Sequence, residues 1–195
     1  MLKFKLFNIN FNVNYLFLSM IVIYLAIDET GLFLPLSIGV IVHELSHVFF
    51  LVIFDCKVNS INLSIGAITV NHSSGIDKYK NMIAVLAGPI SNLLLSLLFY
   101  RINFMTHFYV NIILFIYNLL PISGLDGGEL IKLLFNGVLS AEKINNLLNI
   151  NTVVITIMFC VMYIFVFKNI NAVFIILFCI YLISPLLLKK LLKDK

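Results

Sequence analysis

GVIVHELSHVFF, residues 39–50, places His43, Glu44 and His47 inside a run otherwise apolar enough to cross a membrane. On a helix, His43 and His47 project from one face a turn apart, so both imidazoles can reach one metal ion, with Glu44 a step around from them. This HExxH spacing is the arrangement of zinc hydrolases. Two neutral imidazoles hold Zn²⁺ with coordination positions left open, the metal makes a bound water acidic, and the adjacent carboxylate takes and returns the proton. A charged side chain at the centre of a membrane helix adds about 2.5–3.5 kcal/mol to insertion, so polar groups kept at that depth point to a function.

Composition sets the class around this stretch. With 62% hydrophobic and 11% charged residues, and a mean hydropathy of +1.08, the 195 residues are those of a polytopic membrane protein rather than a water-soluble globule. The net charge of +4 is no nucleic-acid signal, because the basic residues sit beside apolar runs as topological anchors and form no patch interleaved with aromatics. Cys56, Cys160 and Cys179 make no CxxC pair and imply no disulfide framework. The N-terminal apolar run lacks a small-residue cleavage site and reads as a retained membrane helix.

Taken in order, uncharged runs at 11–27 and 33–54 predict the first two spans, the second carrying the HExxH. From Lys57 to Lys80 the chain turns polar around IGAITV, and the alternation of Ile61, Leu63, Ile65, Ile68 and Val70 predicts two short strands about Gly66. Residues 82–100 form a third run, in which AGPISN at 87–92 allows close helix approach and should face protein. A fourth run at 108–120 continues into PISGLDGGELIKLLF, where Pro121, Gly124, Gly127 and Gly128 interrupt the helix around Asp126. A broken helix at membrane depth with an acid at the break marks a site. An amphipathic connection at 136–149 precedes two plain apolar runs, 152–167 and 172–188. The expectation is a single domain, 1–195, of six transmembrane helices.

With six spans and a cytosolic N-terminus, all of the 13 basic residues except Arg101 and Lys168 fall on the inner side, as the positive-inside rule requires. Both termini are then cytosolic, and the HExxH lies within the bilayer toward the cytosol.

HExxH in a span, a glycine-containing hairpin, AGPxxN, and NLLPISGLDGG at 118–128 together resemble the site-2 protease family of intramembrane zinc metalloproteases. The resemblance covers most of the chain as far as Leu133. It implies an all-α membrane fold with its core in helices 2–4, a short membrane-associated β-hairpin and a broken fourth helix. It also implies one zinc ion held by His43, His47 and Asp126, with Glu44 as catalytic acid/base. Asn118 and Pro121 would shape the substrate channel, and the hairpin around Gly66 would pair with a membrane-embedded or membrane-tethered protein substrate. The NLLPI-LDGG wording is most similar to the sporulation branch, which matures pro-sigma-K in the membrane around the forespore; an unregulated open cavity would cleave early, so a membrane-protein inhibitor or regulator is expected. Three features depart from the pattern. Ser46 replaces the usual glycine of HELGH, Gly124 stands where the branch tends to have proline, and no cytosolic CBS domain is expected within 1–195.

Other readings differ in what they ask of the residues. A general site-2-type protease would cleave an anti-sigma factor or a signal-peptide remnant with the same constellation. A metal-ion transporter would use His43, His47 and Asp126 as a transit site and have no need of Glu44 as a base. A different membrane HExxH protease would draw its third ligand from a later glutamate, Glu129 or Glu142.

Overall fold

The computed structural model describes residues 1–6, 9–64, 67–72 and 75–166. The chain forms two compact units, Met1–Asn118 and the part from Leu119 onward.

The first unit begins with strands where a helix was expected. Leu2–Leu6 (β1) and Ile9–Val13 (β2) pair antiparallel, and the first helix, α1, starts only at Tyr15 and ends at Ile27. The strand sequences LKFKL and INFNV alternate apolar and polar residues with period two, and this pattern prevails locally over the apolar run at 11–27. Phe4 and Phe11, paired across the strands, stack with ring centroids 5.2 Å apart. The 13 residues of α1 extend about 20 Å, short of the roughly 30 Å hydrocarbon core.

The expected hairpin forms from Val58–Ser64 (β3) and Ala67–His72 (β4), but it belongs to a larger sheet of order β1-β2-β3-β4 in which β2 runs parallel to β3. The parallel seam is reinforced by the Asn12 side-chain amide donating to Asn62 Oδ1 at 2.7 Å. Leu51, Cys56, Val58 and Ala84 form a buried cluster against which Ile61, Val70 and Ile76 pack. The sheet is thereby seated at the end of the second helix and the start of the third.

That second helix, α2, is Phe33–Ile53. Its first turn is satisfied by Asp28, whose carboxylate accepts from the backbone N–H of Leu32 and Phe33 as well as from Thr30. Pro35 sits in that turn, where its missing N–H costs least. Pro35, Gly39, His43 and Leu51 are buried, while Ile41, Leu45, Phe49 and Val52 are exposed on the opposite side. Helix α3, Lys78–Arg101, buries Ala84, Ala87, Gly88, Pro89, Asn92 and Ser96 and exposes Leu94, Leu97 and Leu98. Small residues toward protein and large apolar residues outward is the pattern of helices packing in lipid, where close backbone approach replaces the hydrophobic drive. Helix α4, Met105–Asn118, packs on both α2 and α3.

In the second unit, residues 119–125 link to α5, Asp126–Phe135, and a longer helix follows, α6, Ala141–Val166. The break expected around Asp126 is present, and its tightness explains the two glycines after it. A Cβ on Gly127 would lie 2.5 Å from the Leu120 carbonyl oxygen, and one on Gly128 would run into the Ile122 carbonyl. Gly124 adopts φ +98, a conformation that L side chains rarely take. Ile144, Leu148, Thr152 and Thr156 form the buried stripe of α6, and Thr152 Oγ1 accepts from Ser123 N–H in the linking segment. The amphipathic stretch expected at 136–149 falls largely in the first turns of α6.

Among the described residues, three helices are long and apolar enough to cross a membrane: Phe33–Ile53, Lys78–Arg101 and the Ala141–Val161 part of α6. The sixth span expected at 172–188, Cys179 and Lys168 lie outside the described residues.

Candidate metal centre

The first unit brings His43 and His47 together as their spacing required, with Nε2 atoms 3.1 Å apart and rings at 86°. What the spacing alone could not give is the state of the two rings. His47 Nδ1 lies 2.8 Å from the backbone carbonyl oxygen of Ala84, which can only accept, so Nδ1 carries the proton.

His43 Nδ1 lies 2.6 Å from Asn92 Oδ1. Which end of the Asn92 amide faces the ring is fixed by its other contacts. Its Nδ2 donates to the Gly39 carbonyl at 3.0 Å and to Asn111 Oδ1 at 3.1 Å, and Asn111 in turn donates its own Nδ2 to the His107 carbonyl at 2.8 Å. Both carbonyls are pure acceptors, so the amide hydrogens point at them and Oδ1 points at His43. His43 is therefore also an Nδ1–H donor.

In their neutral forms both rings thus turn an unprotonated Nε2 toward the same space, an arrangement suited to a cation between them. A tetrahedral zinc with bonds of about 2.0–2.1 Å separates two nitrogen ligands by roughly 3.3 Å, close to the spacing found. Gly88 keeps that space open, since a Cβ there would fall 2.7 Å from His43 Nε2 and against His47 Nε2. The first unit accordingly fits a metal ion held on two imidazoles. Each ring has its Nδ1 hydrogen-bonded, the arrangement usual for histidines that ligate metals.

Glu44 is half-buried on α2 beside His43. Asn118 is the last residue of α4 and donates its amide back to the Leu114 carbonyl at 3.0 Å, one turn along its own helix. Pro121 lies in the 119–125 segment, and Asp126 is the first residue of α5 in the second unit. Gly66 lies outside the described residues. Of the alternative ligands, Glu129 is exposed and paired with Lys132, and Glu142 is exposed in the first turn of α6. The AGPISN pattern contains Asn92 but gives it no role, and nothing local in the sequence marks Asn111, Gly39 or the Ala84 carbonyl. Two asparagines with no exposed surface among apolar helices were the available signal, because such amides are costly unless paired.

Three helices in close contact, small residues inside and a histidine pair between them define a helical membrane fold built around a candidate metal centre. The fold is similar to that of a solved structure, the Site-2 Protease from Methanocaldococcus jannaschii, at a TM-score of 0.65 and 19% identity, over 93% of this chain and 91% of that one. At this identity the likeness is one of fold. No protein-family model and no curated protein matches the sequence.

Proposed function

We propose that the chain is an intramembrane zinc metalloprotease of the site-2 type. The observation that carries this reading is the pair of Nδ1-committed imidazoles with their Nε2 atoms converging over Gly88, next to Glu44, in a fold shared with a membrane protease. His43, His47 and Asp126 would hold the ion, two imidazoles and a carboxylate being a donor set able to bind a metal. Zinc in such a set acidifies water and polarises a peptide carbonyl. Glu44 would take the proton of the attacking water on a carboxylate oxygen and return it to the leaving amide nitrogen.

Hydrolysis within a bilayer also requires an unwound substrate, because helical carbonyls are already hydrogen-bonded. Adding the substrate as a strand would supply replacement bonds. Strand β3 is paired on both sides, so β4, an edge strand of the sheet, rather than the hairpin as a whole would accept it. Val70 of β4 packs on the cluster that contains Ala84, whose carbonyl orients His47. With six spans and a cytosolic N-terminus, the positive-inside rule would put this end of α2 toward the cytosol.

The finer assignment is to the sporulation branch, with pro-sigma-K as substrate and a membrane protein covering the channel near Asn118 and Pro121 as inhibitor. It rests on the NLLPI-LDGG wording at 118–128. Cleavage of candidate membrane-tethered substrates on co-expression, lost in Glu44→Gln, tests the protease reading. Metal transport retained in that variant would favour a transporter instead. Deleting the gene in its host tests the finer step: normal spores with fully processed sigma factor would remove the sporulation role and leave the chemistry untouched.

A further inference from the structure

We infer that Asn92 is a positioning residue that sets the tautomer of His43 and so presents its metal-facing nitrogen, an inference that rests on the metal-centre reading above.

The two histidines are oriented by different kinds of acceptor. Nδ1 of His47 meets a backbone carbonyl, which no substitution at Ala84 removes, whereas Nδ1 of His43 meets a side-chain amide oxygen. A neutral imidazole without a directed acceptor on Nδ1 can carry its proton on either nitrogen, and the Nε2–H form cannot ligate through Nε2. Asn92 excludes that form because its amide cannot turn over. Reversal would set Oδ1 against the Gly39 carbonyl and Asn111 Oδ1, two acceptors, while presenting Nδ2 to the ring.

Asparagine is the side chain that suits this place. Leucine offers no acceptor, and aspartate would keep the acceptor for His43 but bring its second oxygen against the same two acceptors. The contacts also span the unit, since Gly39 belongs to α2, Asn92 to α3 and Asn111 to α4. Asn92 and Asn111 are both fully buried, so water does not compete for these bonds. A Cβ on Gly39 would come within 2.9 Å of Asn111 Oδ1, so that glycine keeps the space in which the relay closes. The packing of three helices is thereby transmitted to the proton position on one ring.

The test uses the full chain in detergent micelles with ring-¹⁵N histidine, stripped of metal by a chelator, and reads each tautomer by long-range ¹H–¹⁵N correlation. Wild type should show His43 and His47 both protonated on Nδ1. In Asn92→Leu the His43 signal should move toward the Nε2–H form while His47 stays. Zinc affinity measured by chelator competition should fall roughly 10–100-fold, the range for loss of such an outer partner. Asn92→Asp should keep the Nδ1–H signal and lose less affinity. Asn111→Ala, which leaves Gly39 as acceptor for Asn92 Nδ2, should leave the tautomer unchanged.

An unaltered His43 signal in Asn92→Leu would overturn the inference, as would equal shifts of both histidines in Asn92→Asp. Wild type that binds no zinc yet shows the expected tautomers would remove the metalloprotease reading and retain the positioning role of Asn92.

Discussion

The two units hold their proposed ligands by different physics. In the first, His43 is oriented through a side-chain relay whose members lie 49, 53 and 19 residues apart along the chain, on three helices. In the second, Asp126 begins a helix whose next two residues are glycines pressed on the backbone of residues 119–122, a contact confined to a few residues of sequence. One ligand depends on hydrogen bonds that form only when distant helices meet. The other depends on the absence of two side chains. The first kind can be tuned one atom at a time, whereas the second tolerates almost no addition.

The largest expected effect separates holding from chemistry. Glu44→Gln should lower turnover by about 10²–10⁴-fold while keeping zinc, measured by substrate cleavage beside elemental analysis. Zinc lost together with turnover would make Glu44 part of the holding apparatus. Next, Gly88→Ala should bring metal content near background, because the added methyl occupies the space both Nε2 atoms face. Its cost in stability should be only about 1–3 kcal/mol, as for other overpacked sites. Unchanged zinc in this variant would break the assignment of that space.

Gly128→Ala should cost a similar 1–3 kcal/mol or so, but through backbone displacement at Ile122, and should open residues 119–125 to limited proteolysis. Zinc should weaken with it if Asp126 is a ligand, which a chelator titration reads directly. A milder result is expected for Gly124→Ala. No neighbour lies within 4 Å of the added carbon, and the φ of +98 alone should cost about 1–2 kcal/mol in thermal unfolding.

Smallest is the effect of acid on the α1–α2 turn. Backbone hydrogen bonding from Phe33, aided by the Thr30 hydroxyl, holds the Asp28 carboxyl below the usual carboxylate range. Its contribution is therefore present above the unfolded value and lost as pH falls through the lower folded one. Asp28→Asn should remove that acid-dependent component, followed as protease nicking of residues 28–32 against pH.

The sequence made the histidine pair, the small-residue face at 87–92 and the helix break at Asp126 legible, because each is a local pattern with one dominant physical cause. The role of Asn92 was not legible, since its three partners come from two other helices and nothing in AGPISN specifies them. The N-terminal strands were hidden for a different reason. Residues 11–27 satisfy a hydropathy window, and the period-two alternation of INFNV within and before that window carries less weight than its length. The parallel partner that stabilises it lies about fifty residues away, beyond any local reading.

That parallel seam has a consequence for biogenesis. Strand β2 is made before α1 and α2, but its partner β3 emerges only after both, and Asn12 meets Asn62 across 50 residues. At about 5–20 residues per second, the N-terminal hairpin waits roughly 3–10 s on the ribosome for its docking edge. A lone two-stranded hairpin is marginal in water. These two strands are thus secured only after both helices have been made, and α1 and α2 must be threaded before the seam closes behind them.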